Sequence, residues 1–319
     1  LQGNSLAERV LKGEIQATAR LIRYLDDGVP TAYEELKTLF PHTGKAYIIG
    51  ITGSPGTGKS TLTSALIKRF RKEGKKVGVV AVDPTSPFTG GAILGDRIRM
   101  QEHEGDPGVF IRSVATRGNL GGLSKSTRAI LKVLDAMGND ILLVETVGVG
   151  QDEVDVAETA HTVLVVTTPQ LGDEIQAIKA GILEIADIFV LNKSDLPQAD
   201  KTERELKMML ELSPKNRPWI PPIIRTVATK QEGIDDLYSA MEKHREYLRK
   251  SGEMERKEEM NRVRLFWETL FFFLQKEIGE RKEEWGGILE KVKKGEIDPF
   301  SGAEKIASSS FLSFHPSSP

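Results

Sequence analysis

The stretch GSPGTGKS, Gly53 to Ser60, constrains this chain more than any other. It follows the apolar run AYIIGIT and precedes TLTSALIKRFRK, which has the composition of a helix. The spacing Gly-x-x-x-x-Gly-Lys-Ser is that of a phosphate-binding loop. Glycines at 53, 56 and 58 let the backbone turn where other residues cannot, so its N–H groups can crowd around a phosphate. Within the loop, Ser54, Pro55, Thr57 and the following Thr61 are expected to lie against the nucleotide. Lys59 is placed to reach β- and γ-phosphate oxygens, and the Ser60 hydroxyl to ligate Mg²⁺. A helix starting there adds its positive dipole end to the same anion.

Around that loop, seven short β-rich runs alternate with helical ones: AYIIGIT, VGVVAVD, VFIRSVA, DILLVET, HTVLVVTT, DIFVLNK and PIIRTVA. Strands alternating with helices predict an α/β fold, a mostly parallel sheet of the P-loop NTPase type with helices on both faces. Ligands on such sheets sit at the carboxyl ends of the strands, so the loops after these runs are expected to carry the chemistry. Residues 1–44 read as two or three short amphipathic helices forming an N-terminal extension. Residues 45–250 read as the nucleotide-binding domain, and 251–319 as a C-terminal helical arm and tail. In that arm Val263, Trp267, Leu270, Phe271, Leu274 and Ile278 share one helical face, which Phe266, Phe272 and Phe273 widen. So broad a stripe suggests a partner chain.

Composition narrows the chemistry. The 319 residues carry 44 Lys+Arg against 46 Asp+Glu, a formal net charge of −2, and give no global pull toward nucleic acid. Cysteine is absent, which excludes disulfides, thiolate metal sites and cysteine nucleophiles. His42, His103, His161, His244 and His315 show no ligand spacing. No run of about 18 apolar residues is present, and LQGNSLAERV lacks the apolar core of a signal peptide, so a soluble cytoplasmic protein without a membrane role is expected.

Four further places carry site chemistry. Asp83 closes the second strand run, and Asp96 follows thirteen positions later in VDPTSPFTGGAILGDRIRM; both are candidate Mg²⁺ carboxylates, directly or through water. Each also suits a structural role, Asp83 before Pro84 in a turn and Asp96 in the first turn of a helix. Glu145 ends the run ILLVE and is positioned like the acidic residue that holds Mg²⁺ beside a phosphate loop. Gly148, three residues on, is free to turn its N–H toward a γ-phosphate, which makes the following loop a candidate switch; Gln151 is a candidate for orienting the attacking water. Finally NKSD follows a strand: Asp195 can accept from the N1–H and amino group of guanine, which adenine does not offer together, and the stem of Lys193 can cover the ring. Asn192 opens this element, and Ala228, in TVATKQEG, is a candidate backbone contact to the base. Arg97, Arg99 and Lys179 are additional cations available to a transition state.

GSPGTGKSTL, VDPTSPFTGGAILGDRIRM, RGNLGGLS, ETVGVGQDE, LGDEIQAIKAGILEIAD and NKSD, in this order, closely resemble the MeaB/ArgK family of GTPases, of the SIMIBI class of P-loop proteins. The resemblance spans roughly residues 5 to 300. It implies a GTP- and Mg²⁺-dependent hydrolase acting as a chaperone for an adenosylcobalamin-dependent acyl-CoA mutase, chiefly methylmalonyl-CoA mutase. GTP hydrolysis would gate cofactor loading and protect the mutase, and the C-terminal helices would make a homodimer. By the same resemblance Lys59, Ser60, Asp83, Asp96 and Glu145 are the phosphate and Mg²⁺ residues, Asn192, Lys193 and Asp195 read guanine, and Gln170 to Lys179 form a further switch with Asp173 and Lys179 as its charged members. Lys125 stands where arginine is expected in the LGGLS segment, and the tail after Pro299 departs from the family pattern. Two other readings compete: an ArgK-like kinase of an amino-acid transport system, against which NKSD argues for guanine, and a nickel-insertion GTPase, against which the missing cysteines argue.

Overall fold

The computed structural model describes residues 5–83, 101–103, 105–115, 126–146, 152–169, 184–212 and 218–311; of Asp83 it describes the backbone. Every predicted apolar run is a strand: β1 Tyr47–Thr52, β2 Val77–Asp83, β3 Val109–Ala115, β4 Ile141–Glu145, β5 Thr162–Thr167, β6 Ile188–Leu191 and β7 Ile223–Arg225. They form one sheet in the order β3-β2-β4-β1-β5-β6-β7, with all six pairings parallel. β1, β4 and β5 are buried along their whole length, which is why they read as unbroken apolar runs rather than alternating ones. From β1 the chain crosses to β2 on one side of the sheet and later builds β5, β6 and β7 on the other. The carboxyl end of β1 therefore faces the crevice where connections diverge, the position in which open α/β sheets bind ligands.

The helices are α1 Leu6–Leu11, α2 Ile15–Asp26, α3 Pro30–Leu39, α4 Lys59–Lys72, α5 Thr127–Ala136, α6 Asp152–Thr159, α7 Ala199–Leu212, α8 Ile234–Ser251, α9 Glu253–Glu280, α10 Gly286–Lys293 and α11 Pro299–Phe311. Leu62, Leu66 and Phe70 of α4 and Leu237 and Met241 of α8 pack on Ile49, Ile51, Leu143, Leu164 and Val190 to make the main core. On β1, Gly50 allows α6 to come close, because a Cβ there would meet Val156 Cγ1 at 2.3 Å. α4 ends in Arg69, Arg71 and Lys72, cations that complement the negative end of its dipole and leave the positive end to the loop before it.

The N-terminal segment, expected to hold two or three short helices, folds as three. Ser5 caps α1 by accepting from Glu8 N at 3.2 Å, and Pro30 starts α3, where its missing N–H costs nothing. Asp135, at the end of α5, then receives Gly44 N, Lys45 N and Ala46 N at 2.5, 3.2 and 3.0 Å and so fixes the entry into β1.

Two compact units follow from the packing, Leu1–Arg262 and Val263–Pro319. In the second, Gly302 of α11 packs against Val292 and Ile288 of α10. Val263, Phe266, Trp267, Phe271 and Phe273 of α9 are exposed, so the apolar stripe expected from sequence lies largely uncovered in the single chain. No helix among the described residues is long and apolar enough to cross a membrane.

Candidate functional site

The site is built where β1 ends. After Thr52 the backbone turns at Gly53, whose φ is +137°, and passes so close to β5 that a Cβ would meet Val166 O at 2.1 Å. Gly58, with φ +89°, is the left-handed cap of α4, and a Cβ on it would meet Asn192 Nδ2 at 2.5 Å. Both glycines are therefore required by conformation and by space. Pro55 and Gly56 form the exposed tip, while Thr57 and Ser60 are buried and Ser54 and Thr61 lie between. Thr57 Oγ1 donates to Ser54 O at 2.9 Å and stiffens the turn. Lys59 Nζ reaches back along the loop and donates to Gly53 O at 2.7 Å and Ser54 O at 3.1 Å. Its charge is thus held inside a cradle of backbone at the start of a helix, an arrangement suited to a polyphosphate.

Next to the loop, β4 delivers Glu145, only 2 % exposed. Its carboxylate accepts from Ser60 Oγ at 2.6 Å and from Thr63 Oγ1 at 2.8 Å. Two of the candidate Mg²⁺ residues, Ser60 and Glu145, are thus brought together; Thr63 was not among the expected residues. It lies three residues after Ser60, on the same face of α4. A buried carboxylate and a hydroxyl, all oxygen and beside a phosphate cradle, fit Mg²⁺, which takes hard ligands and completes its shell with phosphate and water. Ala81 of β2 is in register with Glu145, so the backbone of Asp83, two residues on, reaches the same edge of the sheet. Asp96, Gly148, Gln151 and Lys179 lie outside the described residues, as do Arg97, Arg99, Lys125 and Asp173.

The NKSD element meets the phosphate loop directly. Asn192, 2 % exposed, donates from Nδ2 to Thr57 O at 2.9 Å. Its Oδ1 accepts from Thr226 Oγ1 at 3.1 Å and Ala228 N at 3.2 Å. Lys193, in the left-handed region at φ +54°, donates from Nζ to Gly56 O at 2.8 Å. Ser194 N and Oγ both donate to Thr226 O at 3.1 Å. One asparagine therefore ties three loops together: the one after β1, the one after β6 and the one after β7. Asp195 projects beyond this stitching, where Lys230 Nζ donates to its Oδ2 at 2.9 Å and holds the carboxyl below the usual carboxylate range. Thr226 and Lys230 are further site members the sequence reading missed. Neither residue type at that spacing distinguishes a site from an ordinary turn.

The model of the methylmalonyl Co-A mutase-associated GTPase MeaB matches residues 18–282. Over 309 residues the chain is 52 % identical to a protein of Pyrococcus abyssi whose name marks it as a GTPase, covering 95 % of each. Against the GTPase ArgK of Escherichia coli it is 34 % identical over 255 residues, 77 % of each chain. Among solved structures, that of a LAO/AO transport system kinase superposes with a TM-score of 0.69 at 25 % identity, covering 95 % of this chain and 96 % of that one.

Proposed function

The chain belongs to the MeaB family of methylmalonyl Co-A mutase-associated GTPases, and from that premise we propose that its GTP hydrolysis requires Mg²⁺ and serves an adenosylcobalamin-dependent acyl-CoA mutase as a G-protein chaperone. The observation that carries the nucleotide part is the direct bonding of the NKSD loop to the phosphate loop, Asn192 to Thr57 O and Lys193 to Gly56 O. It ties the loop that carries Asp195 to the phosphate cradle, which supports the reading that base and phosphates are recognised as one ligand.

In this reading the loop amides and Lys59 hold the β- and γ-phosphates, with Lys59 exchanging the carbonyls of Gly53 and Ser54 for phosphate oxygens. Ser60 and Glu145, with Asp83 and Asp96, are the residues that would hold Mg²⁺, which supplies neutralisation of the charge on the phosphates. A water oxygen bonds to the γ-phosphorus as the bond to the bridging oxygen breaks, giving GDP and phosphate. Gln151 orients that water, Lys179 adds positive charge, and Gly148 contacts the γ-phosphate only in the triphosphate state. The loops containing Asp96, Gly148 and Asp173 then present a nucleotide-dependent surface to the mutase. The family assignment supports the mutase as partner, and the exposed Val263, Phe266, Trp267 and Phe271 support a homodimer through the C-terminal helices.

The test is GTP and ATP hydrolysis with Mg²⁺, with and without a purified adenosylcobalamin-dependent mutase. Expected are GTP selectivity, complex formation and altered turnover with the mutase, and loss of binding or turnover in Lys59→Ala. No complex and unaltered turnover would refute the chaperone role. The likeness to a structure named a transport system kinase favours one second reading, transfer of phosphate to a protein acceptor, which a phosphorylated acceptor would establish.

A further inference from the structure

At the far edge of the described sheet from the NKSD loop, β3 is flanked by a cavity of about 470 Å³. Its walls include Ile15 and Ala19 of α2, Phe110 and Arg112 of β3, and His103 and Asp106 from the turn that leads into β3. The lining is mostly apolar, and the volume falls within the roughly 300–1,000 Å³ usual for small-ligand pockets.

The charges around it do not balance. Asp106 is fully engaged: Arg71 Nε and Nη2 each donate to it at 2.9 Å, and Gly108 N donates at 2.8 Å, which together hold its carboxyl below the usual range. His103 pairs through Nε2 with Ser64 Oγ at 2.8 Å, and burial pushes its pKa down, so the ring is neutral at pH 7. Nearby acids are committed as well, Glu102 to Lys68 at 2.6 Å and Glu14 to Arg9 at 2.8 Å. Arg112 differs: among the described residues its guanidinium has no hydrogen-bond or ion-pair partner, and its Nε is closed off from solvent. A buried guanidinium nitrogen without a partner is expensive and rare in native proteins, and its presence at an apolar cavity marks a missing acceptor.

We propose that this cavity binds a small amphipathic monocarboxylate, with its carboxylate against Arg112 and its alkyl chain along Ile15, Ala19 and Phe110. A guanidinium matches a carboxylate with two parallel N–H···O bonds. One uncompensated cation balances one negative charge, whereas a dianionic phosphate would leave excess charge beside apolar walls. The site lies apart from the nucleotide cradle and does not depend on the mutase partnership.

Octanoate is the probe, titrated calorimetrically into the full nucleotide-free chain at pH 7, with 1-octanol as its uncharged counterpart. One saturable octanoate site per chain is expected, weakened at least tenfold in Arg112→Met, which keeps much of the side-chain length and removes the charge. Ala19→Phe, which fills the cavity and leaves the guanidinium in place, is expected to abolish the site. Retained guanine-nucleotide binding shows that each variant is folded, and 1-octanol should bind wild type and Arg112→Met alike. Absence of a saturable octanoate site in the wild type would overturn the proposal. So would equal octanoate affinity in all three proteins, which would instead place the binding on exposed apolar surface such as Phe266 and Phe271.

Discussion

Replacing Asn192 with alanine tests the stitching of the three site loops. The side chain is 2 % exposed and serves Thr57 O, Thr226 Oγ1 and Ala228 N, on residues that are themselves 0, 1 and 4 % exposed. Asn192→Ala leaves all three groups short of a partner in a place water reaches poorly. A buried polar group left unmet costs about 1–3 kcal/mol. The neighbouring loop tip at Pro55 and Gly56 is exposed and admits some water, so the lower part of that range applies to each group. The expected loss of stability is about 3–5 kcal/mol, large for a single substitution. It is measured by urea unfolding of the nucleotide-free protein followed by circular dichroism, with the affinity for a fluorescent GDP as a second readout. The structure also predicts coupling. Asn192 Nδ2 occupies the space where a Cβ on Gly58 would go, at 2.5 Å, so Gly58→Ala should cost less in the Asn192→Ala background than alone. The strain of φ +89° remains in both backgrounds. A loss below about 1 kcal/mol, or strict additivity with Gly58→Ala, would refute the view that this residue holds the loops together.

Gly53→Ala should remove nucleotide binding, because φ is +137° and the new Cβ would press on Val166 O at 2.1 Å; a fluorescent-nucleotide titration like that of wild type would contradict this. Asp195→Asn should erode the preference for GTP over ATP, measured as the ratio of kcat/KM values, since in the proposed reading this carboxylate accepts from both guanine donors. His244, 1 % exposed, is pushed down by burial to about 4, while its Nδ1 lies 2.7 Å from Thr162 Oγ1. The unfolded chain therefore binds more protons than the folded one between about pH 6.5 and 4; stability is full above that window and falls by about 3 kcal/mol as pH drops through it. His244→Gln should flatten that part of the pH–stability curve. Glu258 acts in a lower window: the hydrogen bond from His161 at 2.8 Å, followed by Lys132, holds it down to about 2. Its contribution is present above about pH 4.5 and is lost between there and pH 2, so Glu258→Gln should flatten the curve only in that range.

Much of the site was legible because its parts are local. The Gly-rich loop and the hydroxyl of Ser60 occupy positions fixed by one strand–turn–helix unit, and Glu145 closes its own strand; their meeting at 2.6 Å, across 85 residues of chain, is tertiary. The roles of Asn192 and Lys193 were legible only in part. Their strand-end position marked them as base readers, whereas their bonds to Thr57 O and Gly56 O span 135 and 137 residues of chain. Thr63 and Lys230 were not legible, because a threonine inside a helix and a lysine in a turn are ordinary until Glu145 and Asp195 are beside them.

By itself the sequence determined the seven strands, the phosphate loop between the first strand and its helix, and the parallel character of the sheet. Each of these follows from patterns within ten or twenty residues, where hydrophobic period and backbone freedom leave few alternatives. Tertiary structure alone decided the order β3-β2-β4-β1-β5-β6-β7, the seat of Val156 against Gly50, the joining of three loops through Asn192, and the solitary guanidinium of Arg112 at the sheet edge. These depend on which distant groups meet once the core is packed. Whether a polar atom finds a partner is a property of that meeting, and no local pattern encodes it.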